Sequence, residues 1–132
     1  LSSIGGPRWV RAVPYIEDMP LALGITDLAV SRSGAMTTAE FLAWGVPAIL
    51  IPLPTSAAGH QKLNALALQQ AGAAVHLSQE GLTVKTLWGC VGELAHDQAE
   101  LDRMSRAART RSHPHATSDI VTDLMELLPD AH

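Results

Sequence analysis

Small residues, Ser33, Gly34 and Ala35, join an apolar segment to a predicted helix, and this junction is a candidate for chemistry. Side chains of this size leave the backbone N–H groups of a first helical turn open to a ligand, and such groups bind anions. The hydroxyl groups of Thr37 and Thr38 and the charge of Arg32 would add to such a site. Because many α/β proteins use small residues here for packing alone, the junction leaves phosphate binding and simple packing both open.

Glu40 follows Thr37 in the same predicted helix, at a spacing that places the two side chains next to each other on one face. A carboxylate one turn beyond a phosphate site can accept hydrogen bonds from the vicinal hydroxyls of a ribose. The same spacing is typical of a solvated glutamate on an amphipathic helix, and taken alone it slightly favours that interpretation.

His60, Gln61 and Asn64 open a second predicted helix, and Gln61 and Asn64 share a face of it. Paired amide side chains suit an uncharged ligand that is rich in hydroxyl groups, because each amide offers both donors and an acceptor. Such residues are also common as helix caps and on surfaces. On these residues alone, the capping interpretation is favoured.

The composition limits the classes of protein to which this sequence can belong. The 132 residues, 47% of them apolar, fit one globular domain with its own core. With 9 Lys and Arg against 13 Asp and Glu, the net charge of −4 argues against binding nucleic acid through phosphate neutralisation. No cofactor or metal is predicted, because Cys90 is the single cysteine and the histidines are scattered. No apolar run is long enough for a membrane helix, and a cytoplasmic location is expected.

Apolar runs of strand length alternate with apolar patterns of helical period through the first part of the chain. The predicted strands are 8–15, 27–30, 46–51 and 73–77, and the predicted helices between them are 19–23, 35–44 and 60–70. This alternation predicts an α/β fold with a doubly wound parallel sheet. After Gly81, apolar helical stripes follow without a strand, and the last of them predicts a C-terminal helix over 116–128.

Ligands of doubly wound sheets bind outside the carboxyl ends of the strands. That rule places a site at the loops 31–34 and 52–60, which adjoin the two groups of polar residues. The chain begins at Leu1 without an initiator methionine and enters the alternating pattern partway, so we expect it to be part of a longer protein.

Several strings of this sequence resemble the MurG family of peptidoglycan N-acetylglucosaminyltransferases. They are Ser31 to Glu40 (SRSGAMTTAE), Gly45 to Ala48 (GVPA) and His60 to Ala65 (HQKLNA). The segments Tyr15 to Met19 and Gln70 to Ala74 are similar to that family as well, so the resemblance runs from about residue 15 to residue 77.

Plant and antibiotic glycosyltransferases of the same two-domain GT-B architecture usually carry His-Gly-Gly where this chain has Arg32, Ser33 and Gly34. The arginine therefore favours the MurG family within that class. The resemblance implies a Rossmann-like, donor-binding C-terminal domain that lacks the N-terminal acceptor domain and the glycine-rich start of its own domain.

The resemblance also implies a role for individual residues. The backbone of Ile16 would contact uracil, and Ser33 to Thr37 would hold the diphosphate at the start of the helix. Glu40 would bind the ribose hydroxyls. Gln61 and Asn64 would bind the sugar, and the position of His60 is His or Gln in the family. The implied substrate-binding residues are Ile16, Arg32, Ser33, Gly34, Ala35, Met36, Thr37, Glu40, His60, Gln61 and Asn64.

By the same resemblance, the chain would bind UDP-N-acetylglucosamine. The complete enzyme would transfer the sugar, with inversion, to a lipid-linked muramoyl-pentapeptide at the inner face of the cell membrane. The acceptor site and the catalytic residues would belong to the N-terminal domain, so the chain alone is expected to be inactive. The alternatives are a donor domain of another UDP-sugar transferase or of a UDP-N-acetylglucosamine epimerase, and a non-catalytic subunit of a split glycosyltransferase.

Overall fold

The structure, a computed structural model, describes residues 7–112. Its sheet has three parallel strands in the order β1-β2-β3, namely Ala29–Ser31 (β1), Ala48–Leu50 (β2) and Ala74–His76 (β3). The central strand β2 is buried along its whole length. A parallel strand that is covered on both faces must be apolar throughout, which explains the uninterrupted apolar run at this point in the sequence.

Helices connect the strands and continue after them. They are α1 (Met19–Gly24), α2 (Ala35–Trp44), α3 (His60–Gln70), α4 (Val84–Ala95) and α5 (Gln98–Arg111), with a short 3-10 turn at Ala57–Gly59 before α3. Helix α2 joins β1 to β2, and α3 joins β2 to β3, as parallel pairing requires. The predicted α/β class with a parallel sheet is confirmed.

The ends of the helices follow local chemistry. The Asp18 side chain caps α1 by accepting a hydrogen bond of 3.0 Å from the N–H of Leu21. Helix α2 ends at Gly45, whose φ of 65° lies in the left-handed region that glycine adopts without a steric cost. The predicted bounds of α2 and α3 agree with the observed ones.

The main core lies where α1, α2 and α3 meet the sheet. Leu23, Phe41, Leu50 and Leu68 are among its buried members. Ile49 points to the opposite face of the sheet, because side chains alternate along a strand, and it is also fully buried. The core therefore occupies the middle of the domain and leaves the carboxyl ends of the strands at its edge.

Helix α5 packs on α2 and contributes a second buried stripe of Leu101, Met104 and Ala108. Helix α4 is different: none of its residues is buried, and its Trp88 is 60% exposed. Within residues 7–112, no helix is long and apolar enough to cross a membrane. The predicted helix over 116–128 lies outside the described residues.

The prediction of a strand over 8–15 is wrong. This segment has no strand pairing in the structure, and Trp9 and Tyr15 are 78% and 77% exposed. A strand needs a neighbour that accepts and donates its backbone hydrogen bonds, and the strands of residues 7–112 pair only with one another. Bulky residues alone could not show that the partner was missing.

Candidate functional site

Helix α2 begins with open backbone donors. Its N-cap is Gly34, which has extended backbone angles and makes no side-chain capping bond. The first hydrogen bond of the helix runs from the N–H of Thr38 to the carbonyl of Gly34 at 3.0 Å. The N–H groups of Ala35, Met36 and Thr37, named the α2 amides below, therefore have no carbonyl acceptor within the helix. Open amides of this kind, together with the helix dipole, are the arrangement that binds anions at helix starts.

The prediction that Thr38 also offers its hydroxyl group to a ligand is wrong, because this group bonds within the helix. It donates to the carbonyl oxygens of Gly34 at 2.9 Å and Ala35 at 3.1 Å, and the residue is buried. Thr37 is half-buried and Met36 is 80% exposed. Of these two threonines, Thr37 is accordingly the candidate for contact with a ligand.

Ser33 joins the two loops that the sequence singled out. It has no exposed surface, and its hydroxyl group donates to the carbonyl of Gln61 at 2.6 Å. In return, the side-chain N–H of Asn64 donates to the carbonyl of Ser33 at 3.0 Å. These bonds hold the start of α3 against the start of α2, so that both helices begin at the same edge of the sheet.

Gln61 and Arg32 hold the loop that follows β2. The Oε1 atom of Gln61 accepts a hydrogen bond of 2.9 Å from the N–H of Leu53. The guanidinium of Arg32 donates to the carbonyls of Ile51 at 3.2 Å and Pro52 at 3.3 Å. Arg32 therefore places its positive charge between the carboxyl ends of β1 and β2, which favours an anion at that edge.

Two cavities lie along the carboxyl edge of the sheet. One of about 380 Å³ is lined by Arg32, Ile51 and Gln79 among others. The other, of about 270 Å³, lies between the loop after β2 and the loop after β3, where Lys62 and Gln79 line it. Sequence reasoning missed Lys62 and Gln79. The rule that ligands bind beyond the carboxyl ends of strands, applied also to the third strand, would have found Gln79.

Glu40 and His60 are exposed and stand on the helices that border this edge. Ile16 is separate: it is 41% exposed and lines a cavity of about 680 Å³ with residues of α1 and the segment before it. That cavity shares no lining residue with the two at the sheet edge. Hydrogen bonds thus link Arg32, Ser33, Gln61 and Asn64 to the loops at this edge. Ile16 lines a separate cavity.

Among residues 7–112, no group of three or more His, Cys, Asp or Glu side chains is arranged to hold a metal ion. The charged side chains that line these two cavities are Arg32, Lys62 and Glu80, and the α2 amides add a partial positive charge. An anionic group that carries a hydroxyl-rich sugar matches both this potential and the nearby amide side chains.

A parallel α/β sheet with an uncapped helix start and basic residues at its carboxyl edge is typical of nucleotide-binding domains. Residues 2–120 match the model of the glycosyltransferase family 28 C-terminal domain. The chain belongs to this family, which confirms the resemblance drawn from the motifs.

Relatives agree with this assignment. One relative, from Desulfitobacterium hafniense, is 42% identical over 111 residues, which are 84% of this chain and 30% of that protein. Its name is UDP-N-acetylglucosamine--N-acetylmuramyl-(pentapeptide) pyrophosphoryl-undecaprenol N-acetylglucosamine transferase. The crystal structure of Acinetobacter baumannii MurG superposes with a TM-score of 0.81 at 36% identity, covering 89% of this chain and 33% of that one. The crystal structure of the glycotransferase of kitacinnamycin superposes with a TM-score of 0.60 at 26% identity, covering 82% of this chain and 27% of that one. The chain thus spans about a third of the length of these proteins.

Proposed function

We propose that this chain is the UDP-N-acetylglucosamine-binding half of an inverting glycosyltransferase. The complete enzyme transfers N-acetylglucosamine to a lipid-linked muramoyl-pentapeptide in peptidoglycan synthesis. The observation that carries the proposal is the open start of α2, where the α2 amides face an edge that also holds Arg32. The family of the chain and the printed name of its Desulfitobacterium relative support the same donor and acceptor.

In this proposal the α2 amides and Gly34 hold the diphosphate of the donor, with Thr37 adding its hydroxyl group. When the acceptor's 4-hydroxyl attacks the anomeric carbon, the bond to the diphosphate oxygen breaks and negative charge grows on the departing UDP. Amides that already point at that charge stabilise it more in the transition state than in the bound substrate. The contribution of this chain to catalysis is therefore electrostatic.

The remaining predicted residues recognise the rest of the donor. Glu40 accepts hydrogen bonds from the ribose hydroxyls, while His60, Gln61 and Asn64 contact the sugar. The backbone of Ile16 pairs with uracil. An N-terminal domain provides the acceptor site and the catalytic base. Because the acceptor is a lipid, the complete enzyme works as a peripheral protein on the inner face of the cell membrane.

Calorimetric titration tests the donor site directly. We expect saturable binding of both UDP and UDP-N-acetylglucosamine, with the sugar nucleotide bound more tightly because it also contacts the amide side chains. Competition with other UDP-sugars then separates this donor from that of a different UDP-sugar transferase. No heat from either nucleotide at millimolar concentration would contradict the proposal.

A further inference from the structure

The cavity of about 270 Å³ between the loop after β2 and the loop after β3 is not lined by any of the residues proposed to bind the donor. It is called the β2–β3 cavity below, and its walls include Leu53, Ser56, Lys62, Gln79 and Glu80. Pockets that enclose a whole small molecule measure roughly 300–1,000 Å³. The β2–β3 cavity is therefore suited to one segment of a larger ligand.

Two hydrogen bonds join the wall of this cavity to Gln61. The N–H of Leu53 donates to the Oε1 atom of Gln61 at 2.9 Å, and the N–H of Gln61 donates to the hydroxyl oxygen of Ser56 at 3.3 Å. Leu53 and Ser56 both line the cavity. Because Gln61 is proposed to contact the donor sugar, the β2–β3 cavity adjoins the place of that sugar.

The order of the strands gives the direction in which the cavity lies. The strand order is β1-β2-β3, the α2 amides follow β1, and α3 follows β2. Along the edge of the sheet, the diphosphate, the sugar and the cavity therefore come in that order. A reaction with inversion brings the attacking oxygen to the side of the anomeric carbon opposite to the leaving group. Along this edge, that side is the one on which the β2–β3 cavity lies.

The charged side chains of the cavity select among the parts of an acceptor. They are Lys62 on α3 and Glu80 in the loop after β3; both are exposed, and neither forms a salt bridge within residues 7–112. An ammonium group donates to a carboxylate or a phosphate, whereas a carboxylate accepts from N–H groups and repels other anions. A peptide brings N–H groups and a carboxylate together, but a diphosphate brings only negative oxygen atoms. The pair therefore favours a peptide.

We propose that the β2–β3 cavity binds part of the peptide of the acceptor, with Lys62 donating to a peptide carboxylate and Glu80 accepting from peptide N–H groups. The inference rests on the proposed function, in which the acceptor is a lipid-linked muramoyl-pentapeptide. It gives the donor-binding half a direct part in recognising the acceptor, while the N-terminal domain binds the remainder.

An NMR titration of the chain with N-acetylmuramoyl-pentapeptide, which lacks the lipid and its diphosphate, tests this subsite. We expect saturable binding that shifts the amide signals of residues 78–80. Lys62→Gln should weaken this binding about tenfold, as for a lost hydrogen bond to a charged group. Lys85→Gln is the matched control, because it removes the same charge from an exposed side chain of α4 that does not line the cavity. Equal affinities of the two variants would overturn the proposal.

Inorganic pyrophosphate is the second probe, because it separates a peptide subsite from a phosphate subsite. We expect pyrophosphate to shift the signals of the α2 amides and to bind Lys62→Gln as well as it binds Lys85→Gln. A loss for pyrophosphate as large as that for the muramoyl-pentapeptide would assign Lys62 to a phosphate and overturn the peptide.

Glu80→Gln tests the acidic wall, since it keeps the shape of the side chain and removes its charge. Pyrophosphate should shift the signals of residues 78 and 79 in this variant but not in the wild type. Equal shifts in both proteins would show that Glu80 does not exclude phosphate. A wild-type protein that binds UDP but not the muramoyl-pentapeptide would overturn this subsite alone, whereas failure to bind UDP would overturn the donor site.

Discussion

Polar side chains at the carboxyl edge of the sheet serve two different purposes. Ser33 and Arg32 hold loops together through bonds to backbone carbonyls. Glu40 and His60 are exposed side chains of α2 and α3. We expect a substitution of Glu40 to change ligand binding without disturbing the fold, which makes it the informative position.

Glu40→Ala is expected to weaken UDP binding by about tenfold or more, because a carboxylate that accepts from ribose hydroxyls makes charge-assisted bonds. The same variant should bind inorganic pyrophosphate as well as the wild type or better, since a negative charge near the phosphates is removed. Both affinities are measured by calorimetry, with Glu40→Gln as a control that keeps the shape of the side chain. Equal losses for UDP and pyrophosphate would remove the ribose assignment.

The types and spacing of residues 33–40 and 60–64 were enough to predict where a site lies, but not which side chains are internal. Ser33 and Gln61 are 28 positions apart, and Asn64 is 31 positions from Ser33. Bonds of this range depend on how β1 and α3 meet in space. A single sequence shows the hydroxyl and amide groups but not the partners that tertiary packing gives them.

Helix α5 closes the end of α2 that is opposite to the site. The hydroxyl group of Ser105 donates to the carbonyl of Gly45 at 2.6 Å, and the guanidinium of Arg109 donates to the carbonyl of Trp44 at 3.3 Å. A cation at a helix C-terminus is favourable, because the helix dipole is negative there. These bonds fix the C-terminal end of α2, while the backbone N–H groups of its first turn stay open.

Gly45 and Gly59 form a matched pair that tests this packing. Both have a positive φ, 65° and 67°, so replacement by alanine costs about 1–2 kcal/mol at either position from backbone strain alone. A Cβ atom at Gly45 would also clash with the side chain of Arg109, whereas at Gly59 no atom of residues 7–112 lies within 4 Å. Gly45→Ala should therefore lower the free energy of unfolding in urea by more than Gly59→Ala does. Equal losses would show that Arg109 does not pack on Gly45.

An ion pair near the start of α5 makes part of the stability of the protein depend on pH. Arg103 donates a side-chain hydrogen bond to Glu100, and this bond lowers the pKa of the Glu100 carboxyl below its ordinary value. Because the pKa is lower in the folded than in the unfolded protein, the stabilisation is present above the unfolded pKa and is lost as the pH falls through the folded one. In an NMR titration, Arg103→Gln should raise the midpoint of Glu100. An unchanged midpoint would mean that the pair does not form in solution.

Elements with strong local signals were predicted best. Helices α2 and α3 have clear starts and are followed by glycines with positive φ at positions 45 and 72, so their bounds were correct. The strand over 8–15 was wrong, because bulky residues favour a strand without showing whether a partner lies beside it. The apolar periodicity of residues 84–95 correctly predicts a helix, α4. Periodicity alone does not show which part of the protein packs on the apolar face of that helix.

At the scale of the whole molecule, the sheet brings the starts of α2 and α3 to one edge, as the position of ligands in parallel α/β folds predicts. The chain spans about a third of its relatives, so this edge accounts for the donor side of the proposed reaction only. The account depends on one arrangement, in which the α2 amides receive the diphosphate of the donor.

The affinity of the variant Ala35→Pro for UDP tests most directly whether the α2 amides bind the diphosphate. Ala35 is the first residue of α2, where proline is tolerated, and Gly34 before it has a φ of −63° and a ψ of 151°, which also suit a following proline. The substitution thus removes one of the α2 amides as a donor while the helix remains. We predict a Tm close to that of the wild type and a loss of UDP affinity of about tenfold or more, as for a hydrogen bond to a charged group. An unchanged affinity in a folded Ala35→Pro protein would contradict the account.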